Sequence, residues 1–254
     1  MSSPRADPGQ APPPASPPAR LVAFDTSTER LVLAVGAPAG GGPHAHTRDE
    51  DGGPRASARL LPALLELLAE AGLALPDIDA IACARGPGAF TGLRASCAVA
   101  QGLALGLGRP VLAVDSLMLV AEAARAQGAG DELAVAVDAR MAEAYAARYR
   151  HDGRRWQVLQ APALWPLAAL AAHWQAEPPP AVAGSALAAY GAQLPLPAGT
   201  RAWLDAGDRA GALLRLACAA WADGRTLDAA DALPLYLRDK VALTTAERAA
   251  LAPR

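Results

Sequence analysis

Histidine and cysteine are scarce in this chain of 254 residues, which has four of the first and three of the second. His44, His46, His151 and His173 are scattered and form neither an HxxxH nor an HExxH pattern, so no clustered metal site is expected. Cys83, Cys97 and Cys218 lie in apolar surroundings without CxxC spacing. An odd, sparse set of this kind reads as reduced, buried thiols in a reducing compartment. There is no GxSxG, and no histidine at a rigid strand end, so Ser/His/Asp catalysis lacks support. No Gly-Lys-Ser/Thr follows the glycine-rich segment, which excludes a Walker loop. Basic excess is lacking too. The net charge is −2 and gives no electrostatic reason to bind nucleic acid unaided. Residues 1–20 are Pro- and Ala-rich without an apolar h-region, so a disordered tail is expected there, not a signal peptide.

What is present is a hydrophobic content of 52% against 19% charged residues, which fits one large globular domain or two small ones. The chain is organised around Arg85-Gly-Pro-Gly-Ala-Phe-Thr-Gly-Leu-Arg94 and the run that follows it. Gly86 and Gly88 permit φ > 0, and Pro87 fixes φ between them. Thr91 is a plausible N-cap for a helix over about 92–107. From Ala95 to Gly108 no residue is charged, and small side chains recur. Such a helix is buried on more than one side, yet it is shorter than the roughly 20 apolar residues of a membrane span. Either it is sandwiched inside one domain, or one side meets a second protein. The loop before it could place N–H groups for an anion. A docking loop anchored by Phe90 is the better reading, because the helix behind it carries no catalytic side chain.

In chain order, Leu21–Phe24 is a buried strand, Asp25–Thr28 a polar turn and Leu31–Val35 a returning strand. Residues 36–54 read as loop. A helix follows over 57–71, with one leucine stripe at Leu60, Leu64 and Leu67 and a second at Leu61, Leu65 and Leu68. Strands are expected at 78–83 and 111–114, and a helix at 116–127. The strand–Asp–turn–strand unit then recurs at 133–149, with Asp138 in the place of Asp25, which suggests a duplicated fold. A strand near 157–160, a helix at 167–174, a strand at 181–183 and a long helix at about 208–221 complete the reading, before an extended piece at 234–238. The expected division is a tail at 1–19, a first lobe of 20–108 plus about 208–223, a second lobe of 109–207 and an end piece from 224. The first hairpin tip could serve a nucleotide or phosphate through Asp25, Thr26, Ser27 and Gly88. The competing reading is a turn held by its own Asx and Ser/Thr hydrogen bonds. The second turn, Asp138-Ala-Arg, has no glycine to let a phosphate approach.

Leu21–Thr28, Arg85–Arg94, Ala100–Ala104, Val137–Met141 with Glu143 and Tyr145, and Pro234–Arg238 together resemble the bacterial tRNA threonylcarbamoyladenosine biosynthesis family TsaB, also called YeaZ. The resemblance spans about residues 20–242. It implies an α/β fold of the actin/Hsp70/sugar-kinase (ASKHA) type, duplicated in two lobes, in a cytoplasmic protein. It also implies a heterodimer with the paralogue TsaD, which holds the metal and performs the transfer, joined by the ATPase TsaE. The assembly moves a threonylcarbamoyl group to adenosine 37 of tRNAs reading codons that start with A. The family member itself is a non-catalytic accessory subunit with no cofactor of its own. ATP or ADP and metal belong to its partners, tRNA is met through the complex, and a homodimer is a possibility without TsaD. The alternative is a kinase-like ATPase or glycoprotease-like peptidase acting alone. The helices at 57–71 and 92–107 are the expected docking surface, as a four-helix bundle with TsaD, with Leu60, Leu64, Leu67, Phe90, Leu93, Cys97, Ala100 and Ala104 as candidate contacts. Two positions depart from the family pattern: Ala56-Ser57 stands where many members carry His-Ser or His-Thr, and Ala89 where serine is usual.

Overall fold

The computed structural model describes residues 19–37, 45–204 and 207–238. Residues 1–18 of the expected tail at 1–19, His44 and residues 239–254 lie outside them. In chain order the elements are β1 (Leu21–Asp25), β2 (Arg30–Gly36), β3 (His46–Asp51), α1 (Ala56–Glu70), β4 (Ala80–Ala84), α2 (Phe90–Leu107), β5 (Val111–Val114) and α3 (Ser116–Ala126). They continue as β6 (Glu132–Asp138), β7 (Glu143–His151), β8 (Trp156–Pro166), α4 (Leu167–Ala176), β9 (Ala181–Ala183), α5 (Ala186–Tyr190), β10 (Arg201–Trp203) and α6 (Arg209–Ala222).

The strands form two five-stranded sheets, ordered β3-β2-β1-β4-β5 and β10-β9-β6-β7-β8. In each, the first three strands of the lobe run antiparallel and the last two add on in parallel. The two sheets therefore share one topology, which is the duplication expected from the repeated hairpin. Asp25 ends β1 opposite Val32, and Asp138 ends β6 opposite Ala144. This is the two-lobe α/β fold of the ASKHA type.

Central strands β1 and β4 are buried throughout, which is why they read as unbroken apolar runs. β3 was expected as loop. Its sequence, His-Thr-Arg-Asp-Glu-Asp, has no apolar face, because it is an edge strand whose burial alternates between half-buried and exposed. Ion pairs hold it instead: Arg30 to Asp49 and Asp51, and Arg48 to Glu66 and Glu70 of α1. A charged edge also discourages pairing with another chain. β5 completes the first sheet, so the second lobe begins beyond Val114 and not at residue 109. β8 extends well past the expected 157–160.

α1 and α2 cover one face of the first sheet, where Leu60, Leu64 and Leu67 meet Val22, Phe24, Leu31 and Leu33. α6 covers the other face and packs on α3, which also contacts β6 and β7 of the second lobe. α3 is thus wedged between the lobes, and even Glu122 is buried there. Its carboxylate accepts from Trp156 Nε1 at 2.9 Å and pairs with Arg215 Nε of α6 at 2.6 Å, so one buried charge ties both lobes. α2 starts at Phe90, two residues before the expected start. Ala89, not Thr91, is its N-cap, without a side-chain bond.

Glu66 is hydrogen-bonded by Arg59 and Arg48, which pull its carboxyl down from 4.5 to about 2. A carboxylate with a folded pKa below its unfolded value adds stability above the unfolded pKa, and that stability is lost as pH falls through the folded one. The unfolding midpoint is therefore expected to drop between pH 4.5 and about 2, with a smaller drop in Glu66→Gln. The difference should shrink in high salt, because these charges face solvent. Thermal melts across that pH range at two ionic strengths check it.

Candidate functional site

The Asp25–Thr28 tip of the first hairpin is held by its own bonds and by the loop after β4. Asp25 Oδ1 accepts from Ser27 N at 2.7 Å, an Asx turn. Thr26 Oγ1 donates to Gly92 O at 2.7 Å and lies 2.9 Å from Ser96 Oγ. Ala89 N donates to Ser27 O at 2.7 Å. The loop glycines exist for this contact. A Cβ on Gly88 would come within 2.5 Å of Ser27 O, and one on Gly92 within 1.7 Å of Thr26 O. At these two glycines it is the hairpin's own backbone that the loop approaches.

Asp25 is fully buried and pairs with Arg209 of α6, Oδ2 to Nη2, at 2.7 Å. No local pattern could have revealed this, since the partners are 184 residues apart. The charge of this carboxylate is matched by the guanidinium. Replacing it in Asp25→Asn leaves Arg209 without a counter-charge. We expect a loss of about 2–3 kcal/mol in denaturant unfolding, below the full cost of an orphaned buried ion because Arg209 keeps some water. Asp25→Leu/Arg209→Met should recover most of it.

Asp138 is occupied as well. Its Oδ1 accepts from Arg140 N and Tyr190 OH, and Arg140 Nη1 lies 3.1 Å from Oδ2. The turn expected to be glycine-poor is made by three consecutive left-handed residues, Arg140, Met141 and Ala142, with φ of 62°, 57° and 56°. Non-glycine residues seldom adopt this region, and a run of three is a strained turn held by its surroundings. Met141 projects into solvent.

Between the two hairpins lies a cavity of about 530 Å³, lined among others by Ser27, Gly88, Phe90, Asp138 and Tyr236. Of the four residues considered for a nucleotide or phosphate, Ser27 and Gly88 line it; Asp25 and Thr26 do not. Leu235, Leu237 and Arg238 also line it, so the end piece borders the cavity.

Among the described residues no group of three or more His, Cys, Asp and Glu side chains could hold a metal. His46 lies on β3, His151 ends β7, and His173 stacks on Trp165 at 5.2 Å. Hydrogen bonding with Cys97, then burial, pushes the Cys83 thiol well up, and burial pushes Cys218 to about 11. Cys97 is pulled down by Cys83 but is itself buried.

Of the eight expected contact residues, seven are turned into the chain's own core: Leu60, Leu64, Leu67, Leu93, Cys97, Ala100 and Ala104. Phe90 is exposed. The candidate contacts Leu60, Leu64 and Leu67 on α1 are core residues, and the outward leucines are Leu61 and Leu65. The stripe at Leu60, Leu64 and Leu67 faces the sheet with Leu68, and Leu61 and Leu65 face out, 39% and 44% exposed. On α2 the outward residues include Ala98, Gly102, Leu105 and Gly106, and Leu105 is 80% exposed. No helix is long and apolar enough to cross a membrane among the described residues.

The fold and site define a two-lobe ASKHA-type protein whose hairpin carboxylates are both paired internally and whose helix pair α1/α2 shows an apolar outer face. The family model for TsaD, tRNA N6-adenosine threonylcarbamoyltransferase, matches residues 53–247. The chain is 32% identical to Escherichia coli K12 tRNA threonylcarbamoyladenosine biosynthesis protein TsaB over 244 residues, 88% of this chain and 96% of that one. The TsaB of Haemophilus influenzae is 40% identical over 125 residues, 49% of this chain and 51% of that one. The solved structure of YeaZ from Pseudomonas aeruginosa superposes with a TM-score of 0.74 at 38% identity, covering 86% of this chain and 100% of that one. The chain belongs to the TsaB (YeaZ) family.

Proposed function

We propose that this chain is a non-catalytic subunit of the cytoplasmic assembly that places threonylcarbamoyl on adenosine 37 of tRNAs reading codons that begin with A. It docks on TsaD through the outer faces of α1 and α2, with the ATPase TsaE completing the assembly. Metal, ATP and the transfer chemistry reside on those partners, and tRNA is engaged through the complex.

The outer face of α2 carries this reading. Gly102 and Gly106 sit inside the helix, and nothing lies within 4 Å of the Cβ that either could bear. Glycine costs a helix about 1 kcal/mol relative to alanine. Nothing inside the chain requires it there, but a second helix approaching closely would. Leu61 and Leu65 on α1 and Leu105 on the neighbouring α2 are exposed large apolar side chains. Contiguous apolar surface on a folded protein marks partner sites. The internal pairing of Asp25 and Asp138 supports the non-catalytic part of the reading, because each carboxylate already has partners within the chain.

Reconstitution tests it. Transfer to tRNA is expected when TsaD, TsaE and this chain are combined, and to be lost when any one is omitted. ATP turnover by the chain in isolation, abolished by Asp25→Ala, would overturn the reading in favour of an independent ATPase.

A further inference from the structure

We propose that Pro234–Arg238 is a latch between the lobes, with Tyr236 and Arg238 as positioning residues at its two ends. Within this short segment, contacts are made to both lobes. At the first-lobe end, Leu235 N donates to Arg85 O at 2.7 Å. Gly86 has φ +113° there, and a Cβ on it would come within 3.0 Å of Leu235 O, so the loop is shaped to admit the latch. Tyr236 packs on Phe90 with ring centroids 5.2 Å apart and planes tilted by 33°, and its hydroxyl accepts from Arg94 Nε at 2.9 Å. The Arg94 guanidinium in turn lies 4.0 Å over the Phe90 ring. The first turn of α2 is thereby clamped by a cluster of one cation and two aromatic rings.

At the second-lobe end, Arg238 Nη1 pairs with Glu143 Oε2 at 2.7 Å, and Nη2 donates to Ala139 O at 2.8 Å. Both side chains of the pair are more than half buried, so the interaction is stronger than an exposed one. Arg238 grips the base of the Arg140–Ala142 turn, whose left-handed backbone needs outside support to persist. The strap is too short to stretch: five residues span at most about 18 Å. Its ends therefore cannot be anchored independently. Freeing one removes the reach that fixes the other, and the lobes lose a tie beside the cavity. This coupling stands apart from any docking on α1 and α2.

Hydrogen exchange on the full chain tests it, with Tyr236→Ala and Arg238→Gln compared with wild type. Each variant is expected to raise exchange about tenfold or more at both 85–94 and 139–143, the remote end included. Amides of β1 and β4 should keep their protection, which shows that the variants remain folded. If each variant loosens only the segment its own side chain touches, or neither, the strap is a pair of separate contacts and the latch is wrong.

Discussion

Gly92→Ala is expected to destabilise the chain by about 4 kcal/mol or more, beyond the range of an ordinary substitution. The added Cβ would lie 1.7 Å from Thr26 O and 2.8 Å from its carbonyl carbon, where real contacts do not fall below 3.0 Å. Both groups are backbone, so no rotamer change relieves the clash. Helix α2 or the hairpin tip must move by more than 1 Å, which follows from 3.0 less 1.7. Such a move breaks the bonds from Thr26 Oγ1 to Gly92 O and from Ala89 N to Ser27 O. Each buried partner left unsatisfied costs about 1–3 kcal/mol, and the packing of α2 on the sheet is lost in addition. Gly102→Ala on the same helix is the control. Open space faces it, and it should stabilise by up to about 1 kcal/mol. Urea unfolding of the two variants beside wild type checks both signs.

The second large effect is on binding. Leu61→Glu with Leu65→Glu is expected to weaken the complex with TsaD by about 100-fold or more while leaving the melting temperature within a few degrees. Both side chains already face solvent, so their replacement removes little from the core. In the complex the two carboxylates would be desolvated without counter-charges, and truncating or charging a central contact costs about 2–4 kcal/mol. A hundredfold corresponds to about 2.7 kcal/mol. Leu64→Glu would be a poor test, since Leu64 is fully buried and the variant would unfold first. Pull-down of TsaD with a thermal melt on the same preparation separates the two outcomes.

The duplicated lobes were legible because two apolar strands each end in Asp and return through a polar turn, and this local pattern matches the observed hairpins. β3 was not legible because it has no apolar face; it is held by its backbone ladder to β2, with ion pairs from Arg30 and Arg48 added. Two adjacent leucine stripes identify an amphipathic helix, but they do not say which stripe the sheet takes. The angle of α1 on the sheet decides that, and it is set by residues distant in the chain. Three further features depend on long-range closure: the Asp25–Arg209 pair, the latch from Leu235 to Arg238, and the clasp of Gly92 on Thr26. The glycines of Gly-Pro-Gly-Ala-Phe-Thr-Gly were visible as a backbone constraint. What they approach, the first hairpin tip, is a tertiary contact with no local signature.

The most direct test of docking through α1 and α2 is the affinity of Gly102→Leu for TsaD, measured by titration calorimetry beside wild type. Leucine is a far better helix former than glycine, and nothing lies within 4 Å of its Cβ, so the isolated chain should be at least as stable. If a partner helix packs closely over Gly102, the larger side chain holds it away and the surrounding contacts fail together. The expected result is a dissociation constant raised about 100-fold or more, with threonylcarbamoyl transfer lost at concentrations where wild type supports it. A folded Gly102→Leu chain that binds TsaD with wild-type affinity and sustains transfer would contradict docking through this face.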